Sequence, residues 1–478
     1  MMTKTMKWCV VLMAMAGAVA VALEMPSFFT DQMVVQREAE IRVWGKAPAG
    51  TPVTVAFADV SVTATADAEG KWLAALPPLP PCSEGRDLKV AGDTEIVIHD
   101  VLVGDVWLCA GQSNMAWEVR YTDDIAPVME SAENHAIRLL KIPSVWSREP
   151  QDDVKATWMP CNPQTVGKFS SVGYLTGREL QETAKIPMGL VQLAWGGCRI
   201  EAMTKLEDFG AVPSLKTMAE RIQATVADMK TKADEALRKD KQRLPTVLYN
   251  AMVHPLGPLA VKGMLWYQGE DNHYEGAIYA EKLKAMAMSW RNCFANPDMP
   301  IYIVLLPPWK YGDEDGTRIP NFWLAQRRFA ETDPHSGFIV TTDCGNPDDI
   351  HPHNKIPLAS RLAKLVLYRT YGIGEETSLC PTFKSACVED GRVMVTFNCP
   401  NGLKSRDGAP LSFLQLAGED GVFKEAQGVL EGDRLAVAAA DVPTPKRIRF
   451  GWDKLANPNL VNRAGNPVMP FEEEIGGE

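Results

Sequence analysis

The sequence predicts an α/β protein in which a parallel sheet, covered by helices on both faces, lies between an N-terminal and a C-terminal β domain. The middle of the chain alternates short apolar runs with helix-period segments, the pattern of a parallel sheet with crossover helices. Both ends show only the two-residue period of strands. At 478 residues the chain is long enough for two to four domains, each with its own core.

In chain order, residues 1–22 form a signal pattern. Lys4 and Lys7 precede an apolar stretch from Trp8 to Val19 that is rich in small residues, and cleavage after Ala20 or Ala22 satisfies the small-x-small rule. Export to the periplasm or the medium is expected, with no membrane anchor on the mature form, because the stretch is short for a span and Cys9 stands outside a lipobox. Residues 23–100 read as a β domain, with alternating pairs at Ile41 and Val43, Val53 and Val55, Val60 and Val62, and Ile96 and Ile98, broken at Ala47-Pro48-Ala49-Gly50 and Asp67-Ala68-Glu69-Gly70.

Residues 101–375 read as the α/β region. Its expected strands run from Val106 to Ala110, Leu190 to Trp195, Gly263 to Tyr267, Ile301 to Leu306 and Phe338 to Thr342. Helices are expected around Ile278, Leu283, Met286 and Trp290, and around Leu358, Leu362 and Leu365 before Gly372. A charged amphipathic stretch at about 211–244, with Leu215, Met218, Ile222, Val226 and Met229 in register, reads as a helical insertion. Alternation returns in 376–478, at Val393 and Val395, Leu435 and Val437, and Ile448 and Phe450, a second β domain.

Net charge is −11 without basic tracts, which gives nucleic acid no electrostatic footprint. Nine of the ten cysteines follow the signal segment with no C-x-x-C pair, so neither a zinc site nor a full disulfide framework is expected. His351-x-His353 lacks the further ligands a metal would need, and no cofactor is expected.

In an open α/β sheet, ligands bind beyond the carboxyl ends of the strands. Four such loops carry reactive or amide-rich sequences: Gly111-Gln112-Ser113-Asn114-Met115, Gly196-Gly197, Gln268-Gly269-Glu270-Asp271-Asn272, and Asp343 followed by Asp348-Asp349-Ile350-His351-Pro352. A serine delivered by a buried strand into a turn can act as a nucleophile beside amides that receive an oxyanion. The commoner task of a serine at such a boundary is to cap the helix. Asp348 and His351 are three apart, so both side chains can lie on one side of a turn, the carboxylate holding one ring nitrogen while the other takes the serine proton. Asp349 and Glu270 compete with Asp348 for that role.

Taken together, these motifs resemble the sialate O-acetylesterase family of the SGNH-hydrolase superfamily. The likeness rests on Gly-Gln-Ser-Asn-Met, Trp195-Gly196-Gly197 with Ile200-Glu201-Ala202, Trp266-Tyr267-Gln268-Gly269-Glu270 with Asn272, and Asp349-Ile350-His351-Pro352 with Asn354-Lys355. It extends to Trp290-Arg291, Asn250-Ala251-Met252 and the C-terminal Phe450-Gly451-Trp452 with Pro470-Phe471. The resemblance implies a three-layer α/β/α core and a metal-independent acetyl transfer. Ser113 would be the nucleophile, His351 the base and Asp348 its orienting acid, with Glu270 in support. An oxyanion hole would come from the amides of Ser113 and Gly197 and the Gln268 side chain. O-acetylated sialic acid is the implied substrate, met by Arg199 and Asn272. Acetylated xylan or a similar polysaccharide is the enzymatic alternative, and a non-catalytic glycan-binding protein the other. The chain departs from the family at Cys198, where Thr is usual, at Met203, where Trp is usual, at Leu305, where Gln is common, and at Asp271, where SGNH enzymes often carry Asn.

Overall fold

The computed structural model describes residues 22–476 apart from 238, 313–314 and 377–378, so all but the last residue of the expected signal segment lies outside the described residues. The organising element is one long strand, Glu95–Gly111. Its first part pairs antiparallel with Cys82–Ala91, whose register runs from Ala91 opposite Glu95 to Cys82 opposite Val103. Its last part lies between Met188–Ala194 and Gly263–Tyr267, parallel to both. The N-terminal β region is therefore joined to the central sheet by continuous backbone. The two also share one hydrophobic cluster, in which Phe28, Val43 and Val55 pack in the same core as Leu108, Trp266 and Trp290.

Across the central sheet the order is Ser336–Ile339, Ile301–Val304, Gly263–Tyr267, Glu95–Gly111, Met188–Ala194, Asn134–Lys141 and Trp158–Cys161. All neighbours are parallel except the last pair. Asn134–Lys141 and Trp158–Cys161 are additions to the strands expected from sequence. The first is masked in the sequence by Arg138, whose buried guanidinium is tied to Asp100 at 2.9 Å and so disguises a sheet position as a polar one.

Alternate residues of each strand face opposite sides, as the two-residue period requires. Leu108, Met264, Trp266 and Ile303 meet Tyr279, Leu283, Met286 and Trp290 of Ile278–Cys293 and Phe322 and Phe329 of Arg318–Thr332. Trp107, Cys109, Leu265 and Val304 meet Val172 and Leu180 of Ser171–Ala184 and Leu358, Leu362 and Leu365 of Ile356–Val366. Within the expected insertion, Lys216–Thr231 is a helix that buries Ile222, Val226 and Met229 along one face. The C-terminal region forms antiparallel sheets around a separate core that includes Val395, Leu435, Ile448 and Phe471. Among the described residues all nine cysteines are free thiols. No helix among them is long and apolar enough to cross a membrane.

Candidate active site

Strand order reverses around Glu95–Gly111: the chain moves first to the Met188–Ala194 side, then to the Gly263–Tyr267 side. The cleft at such a switch point opens at the carboxyl ends. Ser113 stands there, half-buried, in the first turn of the short helix Ser113–Ala116. The residue before that helix is Gln112, which makes no side-chain cap, so Ser113 is inside the helix and is not its cap. Gly111 makes the turn possible. Its φ is +146, and a Cβ there would lie 2.0 Å from the Tyr267 carbonyl oxygen, so any side chain would push the neighbouring strand away.

Gly196 packs directly on Ser113, where an added Cβ would come within 3.4 Å of the Ser113 Cβ. Gly197 follows with φ +68. Among the described residues neither the Ser113 nor the Gly197 amide donates to a protein acceptor, which leaves both N–H groups available to a developing oxyanion. Gln268 is placed differently from the expectation. Its side chain is fully buried, its NH2 donates to the Cys198 carbonyl (3.0 Å) and to Asn272 Oδ1 (2.8 Å), and its Oε1 accepts from Tyr279 (2.5 Å). Both of its donors are used within the protein, so it scaffolds the glycine turn and does not offer a hydrogen to substrate.

Asn272 is likewise structural. Its Oδ1 accepts from Gln268 and from the Ile200 amide (3.1 Å), and its Nδ2 donates to Glu201 (3.0 Å) and Glu275 (3.2 Å). Those two glutamates share the buried Lys282, whose ammonium lies 2.5 Å from Glu201 and 2.6 Å from Glu275. Lys282 holds Glu201 below the usual carboxylate range, whereas burial and the neighbouring Glu201 charge push Glu275 up. Arg199 is part-buried and donates to Asp271 at 2.8 Å, with its guanidinium 5.5 Å from the Tyr274 ring centre. Arg243 binds the same carboxylate at 2.8 Å, so two guanidinium groups face one aspartate.

His351 is carried on the loop after Ser336–Ile339, its side chain about one-third exposed. Its ring stacks on Trp117, centre to centre 5.7 Å, and Trp117 directly follows the Ser113 helix. Burial holds the imidazole below its ordinary pKa, partly opposed by the Asp349 charge. The structure does not bring Asp348 to this ring: Asp348 is exposed and bonds Lys310 at the rim. The carboxylate beside the ring is Asp349, with Oδ1 3.7 Å from Nδ1. Asp349 is also occupied elsewhere, accepting the His351 amide at 2.8 Å and facing His353 Nε2 at 3.2 Å. His353 stacks on Trp117 at 4.9 Å. Among the described residues no cluster of three or more His, Cys, Asp or Glu side chains could hold a metal ion.

Beneath Ser113 lies a group that sequence reasoning missed. Asn114, fully buried, donates to Glu270 Oε1 at 2.5 Å and to the Ile350 carbonyl at 3.0 Å, and accepts from Lys355 Nζ at 2.5 Å. Glu270 thus touches Asn114 and not the imidazole, and burial pushes its carboxyl above the usual range. Burial brings the Lys355 ammonium down to about 7, against the opposing pull of Glu270. The only sequence signal for this group was three polar side chains in motifs that end at one sheet edge. Two of the family departures prove local: Cys198 and Met203 are both buried and touch each other, sulfur to sulfur at 3.8 Å, so they amount to one change in packing.

A family model described as carbohydrate esterase, sialic acid-specific acetylesterase, matches residues 103–367. The sialate O-acetylesterase of Mus musculus is 27% identical over 394 residues, covering 72% of this chain and 73% of that protein. That of Homo sapiens is 30% identical over 292 residues, 56% of this chain and 53% of the relative. The crystal structure of a carbohydrate acetylesterase from Xanthomonas citri superposes with a TM-score of 0.85 at 32% identity, covering 95% of this chain and 99% of the other. The match spans the strands, the serine turn and the histidine loop, and the chain therefore belongs to the sialic acid-specific acetylesterase family of carbohydrate esterases, a family of carboxylic ester hydrolases.

Proposed function

We propose that this carbohydrate esterase is an exported serine enzyme that removes O-acetyl groups from sialic acids of glycans. Its core, residues 101–375, would be the three-layer SGNH type. Ser113 attacks the acetyl carbonyl, its proton passes to His351, and the oxyanion rests on the amides of Ser113 and Gly197. Collapse expels the sugar hydroxyl, which regains the proton from His351. Water activated by the same imidazole then releases acetate and restores the serine. The observation that carries this reading is the position of Ser113 at the switch point, between a double glycine with available amides and the tryptophan that supports His351.

Asp348 is proposed as the orienting acid. Its pairing with Lys310 is at an exposed rim, where such contacts are worth about 0–1 kcal/mol, and catalytic hydrogen bonds are often formed only in the substrate complex. Asp349 is the second reading, favoured by its 3.7 Å approach to Nδ1. The sialate carboxylate would be met by Arg199, which shares Asp271 with Arg243 and leaves one positive charge in excess among the three. The Lys4 and Lys7 pattern before an apolar stretch supports export.

Acetate release from O-acetylated sialic acid and from acetylated xylan, measured side by side, tests the substrate. Faster release from xylan overturns the sialate assignment. Labelling of Ser113 by an aryl phosphonate tests the nucleophile, and labelling at another residue removes Ser113 from the mechanism.

A further inference from the structure

We infer that Asn114 is a positioning residue that fixes the distance between nucleophile and base, by tying the Ser113 turn to the backbone of the His351 loop. The inference rests on the Ser113–His351 reading above. Asn114 and Ile350 lie 236 residues apart, yet the amide of one meets the carbonyl of the other at 3.0 Å. Asn114 is the neighbour of Ser113 in sequence, and Ile350 the neighbour of His351. The peptide that follows the Ile350 carbonyl is rigid and planar, so the position of that carbonyl sets the start of His351. A single side chain therefore spans the two segments that must meet for proton transfer.

The direction of the Asn114 amide is determined by its surroundings. Its two donor hydrogens face two acceptors, Glu270 Oε1 and the Ile350 carbonyl, and its oxygen faces the donor Lys355 Nζ. Turning the amide over would set its oxygen against a carboxylate and a carbonyl, and its NH2 against an amine. Lys355 is itself enclosed, with its Nζ 5.7 Å from the Trp117 ring centre and 5.6 Å from that of Tyr267. Asn114 and Lys355 are fully buried and Glu270 is 6% exposed, so water is not at hand to replace a lost partner. Glu270 and Lys355 act on the reaction through Asn114: they keep its amide turned toward Ile350.

The test compares Asn114→Ala, Asn114→Asp and the double variant Asn114→Asp with Glu270→Gln, on an aryl acetate. For Asn114→Ala, kcat is expected to fall about 100-fold, the scale of a misplaced catalytic group, with KM within about twofold. The double variant exchanges donor and acceptor between positions 114 and 270 and keeps an acceptor for Lys355, but offers no hydrogen to the Ile350 carbonyl. Its melting temperature is expected to recover relative to Asn114→Asp alone while its kcat stays low. Recovery of kcat together with melting temperature, or a folded Asn114→Ala with wild-type kcat, overturns the inference. Ser113→Ala run alongside separates the two levels. An active Ser113→Ala sinks the serine mechanism itself, whereas an inactive Ser113→Ala beside a fully active Asn114→Ala sinks only the positioning role.

Discussion

The two halves of the proposed active site are held by different kinds of force. On the serine side, Gly111 sits in a ladder between Ala194 and Tyr267, and the turn beyond it follows from main-chain hydrogen bonds and a close-packed glycine. On the histidine side, Asn346, Pro347 and Asp348 are exposed, and the loop is fastened by side chains: Trp117 under the ring and Asn114 on the Ile350 carbonyl. A ladder depends little on side-chain identity, whereas a few specific contacts depend on it entirely. His351, the proposed base, should thus be easier to misplace by substitution than Ser113.

The largest effect belongs to chemistry alone. Ser113→Ala leaves the ladder intact and should keep the melting temperature within a degree or two while kcat falls by roughly a million-fold. Substantial acetate release by that variant, measured against a mock preparation, would remove the serine from the comparison.

Next in size are the paired amide variants on the histidine loop. Asp348→Asn should lower kcat by about 10⁴ with KM little changed, as expected for loss of a triad carboxylate. Asp349→Asn should cost far less, since its oxygen can still accept the His351 amide. The reverse order, in steady-state kinetics on the same aryl acetate, would transfer the acid role to Asp349.

Trp117→Ala sharpens the contrast further. It removes the stacking surface of both His351 and His353, an interaction worth roughly 1 kcal/mol per ring pair, so kcat should fall about 5- to 10-fold. Limited proteolysis should cut the loop at 344–354 sooner in this variant than in the parent. Equal cleavage rates would show that the loop is held by something else.

The smallest expected effect is a shift in pH dependence. If His351 is the base it must be neutral to accept the serine proton, and burial holds its pKa below 6.5, so the acid limb of kcat/KM should have its midpoint below that value. Asp349 raises the His351 pKa, so Asp349→Asn should move the midpoint lower still. A midpoint above 6.5 in the parent enzyme would contradict the burial of the ring.

Cys198 and Met203 illustrate how far a sequence reaches. In the sequence they are two separate departures from the family pattern, but the fold puts them in contact with each other. Gln268 and Asn272 differ from expectation for a related reason. Each is polar and ends at the right sheet edge, yet each is consumed by hydrogen bonds inside the protein.

The sequence by itself determined that apolar strands alternate with amphipathic helices, and hence which loops share the carboxyl edge of one parallel sheet. Periodicity is local, and burial of one face in every two or 3.6 residues is enough to specify it. Motif order was also enough to place the chain beside its family. Only the tertiary structure decided which polar groups at that edge face the cleft and which face one another. Hydrogen-bond partners such as Asn114 and Ile350, or Gln268 and Tyr279, are chosen by distance and direction in space, and a linear pattern records neither. The same holds for Asp348 and Asp349: they are adjacent in the chain, but the turn of the backbone sends one to Lys310 at the rim and the other to the histidines.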